Sequence, residues 1–260
     1  MKDLENMTAV VTGAGRGLGR EISLAFARAG ARVSLFSLSG DELEETVAEI
    51  RKIGSEFIIF QGDVIREHDV AAVTAETLKR FGGINILVNN AGIIGPARFL
   101  EDTNPKSWAR ILAVNLTGSY LFCREVIPLM KERGGGVIIN IVSGLGQMPF
   151  PRFCAYSVSK AGLIQLTRSL SEELGPYNIR VNGIDPGLMD TNLGEEIRSM
   201  GSSVLGKELY NRMVEYKEQN VLKNPQDVAE LAVFLASQRS AGMSGHIGTL
   251  RYYRDHGWKK

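Results

Sequence analysis

Short β-branched apolar runs alternate with longer stretches of helical period through most of this 260-residue chain, and that alternation constrains the fold more than any other feature. TAVVTG precedes an amphipathic stretch at residues 18–29, and ARVSLFS precedes a charged one at 41–53. EFIIFQ, a helical segment at about 67–81 and INILVNN follow. Connections this short predict βαβ units, hence a parallel sheet flanked by helices. The runs IIF, ILV and VIINIV are apolar without alternation, as strands covered on both faces should be. The prediction is one α/β domain over residues 1–260, a doubly wound parallel sheet of about seven strands.

Farther along, residues 105–131 read as one long helical region whose last turn Pro128 should disturb, closed by Arg133 and the glycines 134–136. VIINIVS then leads through a Gly/Pro-broken loop to a helix at 153–174, and IRVNGI is a sixth strand. Residues 188–220 break the rhythm: Gly/Ser-punctuated and charged, they read as short helices on a mobile insertion that could cover a substrate. Pro225 sits at the start of another helix, where its missing N–H costs little. Repeats, low-complexity tracts and interdomain linkers are absent from the sequence.

With 44% hydrophobic residues the chain can bury a sizeable core. A net charge of +1, without a basic stripe interleaved with aromatics, argues against nucleic acid as a partner. No apolar window of about 18 residues argues for a membrane span. The start, MKDLENMTAVVTG, lacks a signal-peptide pattern, and two cysteines, Cys123 and Cys154, are too few for a disulfide framework or a typical zinc site. A cytoplasmic protein without a metal is the expectation.

Two stretches carry chemistry. The first strand empties into Thr12, Gly13, Ala14, Gly15, Arg16, Gly17, Leu18 and Gly19, a T-G-x-x-x-G-x-G pattern. Glycines let backbone approach a ligand closely, and the helix that follows offers unpaired N–H groups to a pyrophosphate. Four glycines in seven residues exceed what a tight turn requires. The second stretch is SGLGQMPFPRFCAYSVSK at 143–160. Tyr156 and Lys160, four apart on a helix, share a face, and Ser143 at the strand end can point to the same spot. A phenol titrates near pH 10, so a neighbouring ammonium that stabilises its phenolate would make it a usable acid/base.

These pieces, with NNAG at 89–92, Asn115 within a helix and the Pro186/Gly187 pair, occur in an order and spacing that resembles the classical type of short-chain dehydrogenase/reductase. The resemblance covers nearly the whole chain and implies a Rossmann-type fold. It implies that Gly13, Arg16, Gly17, Leu18 and Gly19 cradle the dinucleotide, that Asp63 with Val64 meets the adenine, and that Asn90, Ala91 and Gly92 border the adenosine. Pro186, Gly187 and Thr191 would flank the nicotinamide, although Thr191 could equally cap a short helix. Ser37 stands where NAD-dependent relatives carry an acidic residue, and Arg16 is similar to NADP-using members, whereas Leu38 occupies a position often held by a phosphate-binding Arg. NADP(H) is therefore the preferred cofactor, with NAD(H) as the alternative.

For catalysis the resemblance implies Tyr156 as general acid/base and Lys160 as the group that holds the nicotinamide ribose and lowers the tyrosine pKa. Ser143 would orient the substrate oxygen, and Asn115 would hold a water in a proton relay. The function so implied is interconversion of a ketone and a secondary alcohol, with a 3-oxoacyl thioester, a sugar-derived ketone or a cyclic ketone all chemically compatible. A non-catalytic dinucleotide-binding regulatory or scaffold protein on the same fold is the alternative. Leu145, Gln147, Phe150, Phe153, Ile94, Leu188 and Met189 are candidate pocket residues. The helices from about 105 and 153 resemble those through which the family forms dimers and tetramers, so a homo-oligomer is expected. Asp185, just before the Pro-Gly pair, departs from the small or neutral residue usual there. The C-terminal SGHIGTLRYYRDHGWKK also departs from the family pattern; its histidines lack metal-ligand spacing, and its aromatics are expected to pack.

Overall fold

The computed structural model describes residues 2–219 and 221–259. Met1, Asn220 and Lys260 lie outside, and with Asn220 the last residue of the 188–220 insertion. Among the described residues the strands form one seven-stranded parallel sheet in the order β3-β2-β1-β4-β5-β6-β7. The first half alternates as the apolar pattern requires: β1 (Thr8–Thr12), α1 (Gly17–Arg28), β2 (Arg32–Ser37), α2 (Gly40–Ile53), β3 (Phe57–Gln61), α3 (Glu67–Phe81) and β4 (Ile86–Asn89). β1, β4 and nearly all of β2 are buried, as expected for strands with helices on both sides. Gly54 and Gly82, at φ 78° and 76°, end α2 and α3 in the left-handed conformation that glycine adopts without strain.

The predicted helix at 105–131 is α4 (Pro105–Leu112), one π turn (Ala113–Thr117) and α5 (Gly118–Glu132). α5 runs through Pro128 to Glu132, so the irregularity expected near that proline falls instead at the π turn, which contains Asn115. Inserting one residue into a helical turn rotates the side chains that follow, a device common at functional sites.

After β5 (Gly136–Ile141), α6 (Cys154–Leu174) and β6 (Ile179–Ile184), the insertion folds as α7 (Asn192–Ser199), α8 (Gly201–Leu205) and α9 (Lys207–Glu218). Its two ends meet in a bridge between Met189 and Lys223, where Lys223 N–H donates to the Leu188 carbonyl at 3.0 Å. α10 (Pro225–Ala236) begins at an Asn224 cap, and the chain ends in β7 (Ile247–Gly248) and α11 (Leu250–Asp255). One core lies between the sheet and α1, α2, α10 and the tail; a second lies between the opposite face and α3, α5 and α6.

The tail packs as expected. Tyr253 and Trp258 are buried, whereas Tyr252 is half-buried with its hydroxyl 2.9 Å from His246 Nδ1. The Tyr253 hydroxyl lies 2.9 Å from both the Gly183 and His246 carbonyls and donates between them. This ties the two-residue β7 to the end of β6, where Asp185 N–H donates to the Gly248 carbonyl at 2.8 Å. Tyr253→Phe should therefore lower unfolding free energy by about 1–2 kcal/mol, the cost of leaving buried carbonyls short of a donor. Urea unfolding checks this; an unchanged midpoint would show that the hydroxyl carries no load.

Candidate active site

At the carboxyl ends of the strands lies a cavity of about 400 Å³, lined among others by Gly13, Arg16, Gly17, Leu18, Ser37, Asp63, Val64, Asn90, Ala91, Gly92, Tyr156, Lys160, Pro186 and Thr191. Sheets of this kind bind ligands in that crevice. The glycine loop forms one wall and is held on three sides. Asn90 Nδ2 donates to the Thr12 and Gly13 carbonyls at 2.9 and 3.2 Å. Thr12 Oγ1 accepts the Asn90 and Ala91 N–H groups, each at 3.0 Å, and Thr46 Oγ1 donates to the Gly15 carbonyl at 2.9 Å. Gly13 and Gly17 sit at φ 63° and 54°, and a Cβ on Gly19 would collide with the Gly13 carbonyl and with Asn90 Nδ2.

α1 opens without a side-chain cap and without an acid in its first turn. In contrast, Ser39 caps α2, which carries Asp41 and Glu42 in its first turn. The first amides of α1 thus remain for an anion at the cavity, and this donor set suits the pyrophosphate of a dinucleotide. Arg16, 60% exposed at the helix start, pairs with Glu42 at 3.1 Å. Ser37 is buried at the end of β2 and Leu38 is 62% exposed.

Deeper in the cavity, α6 brings Tyr156 and Lys160 onto one face, 8% and 4% exposed. Lys160 Nζ donates to the Ile141 carbonyl at 2.7 Å and lies 5.8 Å from the centre of the Tyr156 ring. Ser143 follows β5; its hydroxyl accepts the Leu145 N–H at 3.3 Å, which leaves its proton for the Tyr156 phenol, to which it hydrogen-bonds. Asn115 is fully buried: Oδ1 accepts the Ile93 N–H at 2.8 Å, and Nδ2 donates to the Ile93 carbonyl and to Ser159 Oγ at 2.9 and 3.0 Å. A Cβ at Gly92 would stand 3.3 Å from Asn115 Oδ1 and 3.6 Å from Lys160 Nζ, so glycine keeps this corner open.

Residues 7–202 match the family model described as short chain dehydrogenase. The chain belongs to the short-chain dehydrogenase family. It is 34% identical over 247 residues to the 7alpha-hydroxysteroid dehydrogenase of Escherichia coli K12, covering 95% of this chain and 93% of that protein. Among solved structures it is similar to levodione reductase, with a TM-score of 0.89, 26% identity and coverage of 98% and 100%. NAD+-bound xylitol dehydrogenase gives 0.87, 28% identity and coverage of 95% and 98%. This short-chain dehydrogenase is thus an oxidoreductase that interconverts a secondary alcohol and a ketone with a nicotinamide dinucleotide.

In this dehydrogenase each residue singled out in the sequence has a definite set of neighbours. Lys160 was expected to draw the Tyr156 phenol down. Burial instead pushes it up to about 12, against the downward pull of the Ser143 hydrogen bond, and the Asp185 charge pushes the same way as burial. Burial also brings Lys160 down to about 8, while Asp185 holds it up. The Asp63 carboxylate, expected at an adenine, pairs with Arg110 at 3.0 Å and accepts the Ile65 N–H. Asn115 spends its side-chain amide on Ile93 and Ser159, so a relay water would have to use its backbone carbonyl. Thr191 caps α7, accepting the Gly194 N–H at 3.4 Å, and also lines the cavity.

Of the candidate pocket residues, Ile94, Leu145, Phe150, Phe153 and Leu188 join Tyr156 in one apolar cluster. Met189 faces the dinucleotide cavity and Gln147 is exposed. Arg110, Glu42, Thr46 and Ser159 escaped the sequence reading, because each acts through a partner brought near by the fold. Gly19→Ala should weaken NADPH binding at least about tenfold, since even one methyl forces apart the loop's closest backbone contact. Fluorescence titration of bound NADPH checks this; wild-type affinity would contradict the geometry.

Proposed function

We propose that this enzyme reduces an apolar ketone to its secondary alcohol, with NADPH preferred, and that Tyr156 is its proton donor. The observation carrying the proposal is the Tyr156 phenol, buried and hydrogen-bonded by Ser143, at the meeting point of the dinucleotide cavity and an apolar cluster. When bound, the nicotinamide supplies the hydride. Gly13, Gly17, Gly19 and the first amides of α1 would hold the pyrophosphate, Leu18 and Val64 would pack against the adenosine half, and Asp63, Asn90, Ala91 and Gly92 would border it. Pro186, Gly187 and Thr191 would flank the nicotinamide.

Tyr156 gives its proton to the carbonyl oxygen as negative charge develops there. Ser143 donates a second hydrogen bond to the same oxygen, a preorganised donor of the oxyanion-hole type. Lys160 would bond the nicotinamide ribose and, through a water held at the Asn115 backbone carbonyl, would replace the lost proton. Ser37 brings no carboxylate to repel a 2′-phosphate, and the exposed Arg16 can turn from Glu42 towards one, which favours NADPH.

The substrate class follows from the cluster around Tyr156. Phe153, Phe150, Ile94 and Leu145 come from the body, and Leu188, Leu193, Ile197, Met200, Val204, Leu205, Tyr210 and Met213 from the insertion. Apolar surroundings of this kind favour a cyclic or long-chain ketone over a free sugar. The helices of the insertion would act as a lid swinging on the Met189–Lys223 neck. Tyr120 on α5 and Val158 on α6, 45% and 44% exposed, give the outer helices apolar surface for a homo-oligomer, a dimer or tetramer. No described helix is long and apolar enough to cross a membrane, and neither Cys123 nor Cys154 is paired; a cytoplasmic location completes the proposal.

A panel of cyclic and long-chain ketones tested with NADPH and NADH should give turnover with the higher kcat/KM for NADPH. Tyr156→Phe should bind NADPH normally and lose about 10²–10⁴-fold in kcat. Retained turnover in that variant would remove Tyr156 from the reaction, and an equal or reversed cofactor ratio would contradict the reading of Arg16 and Ser37.

A further inference from the structure

β5 and β6 are neighbours in register, Ile141 beside Ile184, so the residues just past their ends also meet. From β5 comes the Ile141 carbonyl that binds Lys160, followed by Ser143 and Gly144. From β6 comes Asp185, 8% exposed. Its Oδ1 accepts the Gly187 N–H at 3.0 Å, and its Oδ2 lies 3.2 Å from where a Cβ on Gly144 would stand. A buried carboxylate is thus fixed with one oxygen on the Gly187 N–H and the other against Gly144, the residue after Ser143. Its backbone N–H is anchored to the Gly248 carbonyl, in the strand that the buried Tyr253 hydroxyl braces.

We propose that Asp185 is a positioning residue that acts through space on Tyr156 and Lys160, keeping both protonated so that carbonyl reduction persists to higher pH. The proposal rests on the assignment of Tyr156 as the proton donor. Burial disfavours an ammonium, and among the described residues the hydrogen-bond partner of Lys160 is a neutral carbonyl. A fixed negative charge nearby offsets that penalty. The same charge opposes phenolate formation on Tyr156, so both groups shift upward because of it.

The other titratable groups near this corner are few. α6 carries Cys154 two residues before Tyr156, and the insertion contributes the half-buried Tyr210 to the same apolar cluster. Lys223 approaches Gly187, its Nζ 2.7 Å from where a Cβ on that glycine would stand. The segments from β4 and β5 that border Tyr156 present Ile93, Ile94, Ser143 and Leu145, which carry no charge. The cavity that Tyr156 and Lys160 line also holds Asp63 paired with Arg110, Glu42 paired with Arg16, and Glu196 from the insertion; Asp185 is the carboxylate at the end of β6 beside Gly144.

Asp185→Asn keeps the shape and can still accept the Gly187 N–H, but it removes the charge. The alkaline limb of the reductive kcat/KM profile should move to lower pH by about half a unit or more. The reverse oxidation should gain at lower pH, and Asp185→Glu should move the limb back towards wild type. A purely structural role would lower kcat in both variants with the limb unmoved, which would overturn the proposal. An independent reading needs no substrate: the phenolate absorbance of wild type minus that of Tyr156→Phe isolates the Tyr156 titration, and the same difference can be taken in the Asp185→Asn background. Titration at lower pH in that background supports the proposal even if the ketone panel is inert, in which case the reductase reading alone fails. An unmoved titration overturns the proposal whatever the panel shows. Should Asp185→Asn not fold, the same difference titration in Asp185→Ser, which also lacks the charge, decides: Tyr156 titrating at lower pH than in wild type supports the proposal, and an unmoved titration overturns it.

Discussion

Taking the Lys160 ammonium out of water costs several kcal/mol unless polar partners replace the solvent, and the architecture around the site follows from how that is done. The Ile141 carbonyl, at the last residue of β5, supplies a hydrogen bond of 2.7 Å. Because parallel strands all end on the same side, the ends of β1, β4, β5 and β6 bring the glycine loop, the Asn90 segment, Ser143 and Asp185 to one crevice. α6 then needs only its 3.6-residue period to set Tyr156 beside Lys160. The π turn at Ala113–Thr117 places Asn115 against Ile93 and Ser159, closing the remaining side of the corner.

The dinucleotide half of the crevice is built on the opposite electrostatic choice. α1 leaves its first amides uncapped while α2 spends a serine cap and two acids on its own start. That difference directs an anion to the glycine loop and nowhere else along the neighbouring helix. Glu42, reaching from α2 to Arg16, links the two helix starts and sets how much positive charge stands ready near the ribose.

Much of this was legible in the sequence, for reasons that can be named. Continuous β-branched runs reported strands buried on both faces, and the predicted segment at 67–81 coincides with α3 because Glu67 and Gly82 bracket an apolar period. The Tyr156/Lys160 spacing carried over directly, since four residues on a helix define a face. The π turn was not legible: AVNLT has ordinary helical composition, and Pro128 drew the expected irregularity to the wrong place. Nor was the Asp63 to Arg110 pair, whose members stand 47 residues apart and meet only because the fold brings the side chain of α4 to the loop after β3. The upward shift of Tyr156 was not legible, because the proximity of Lys160 can be read from spacing whereas burial depends on the tertiary packing around the phenol. Tyr253 shows the same limit, because an atypical tail reveals aromatic residues but not the carbonyls they will meet.

Reduction by Tyr156 and Ser143 depends on where a substrate carbonyl sits. A crystal structure of the enzyme with NADPH and a poorly turned-over ketone from the active panel tests it most directly. The carbonyl oxygen should lie within hydrogen-bond reach, about 2.6–3.2 Å, of both the Tyr156 and Ser143 hydroxyls, with the hydrocarbon against Phe150, Phe153 and the insertion helices. A carbonyl bound away from Tyr156, with the phenol facing only hydrocarbon, would contradict it.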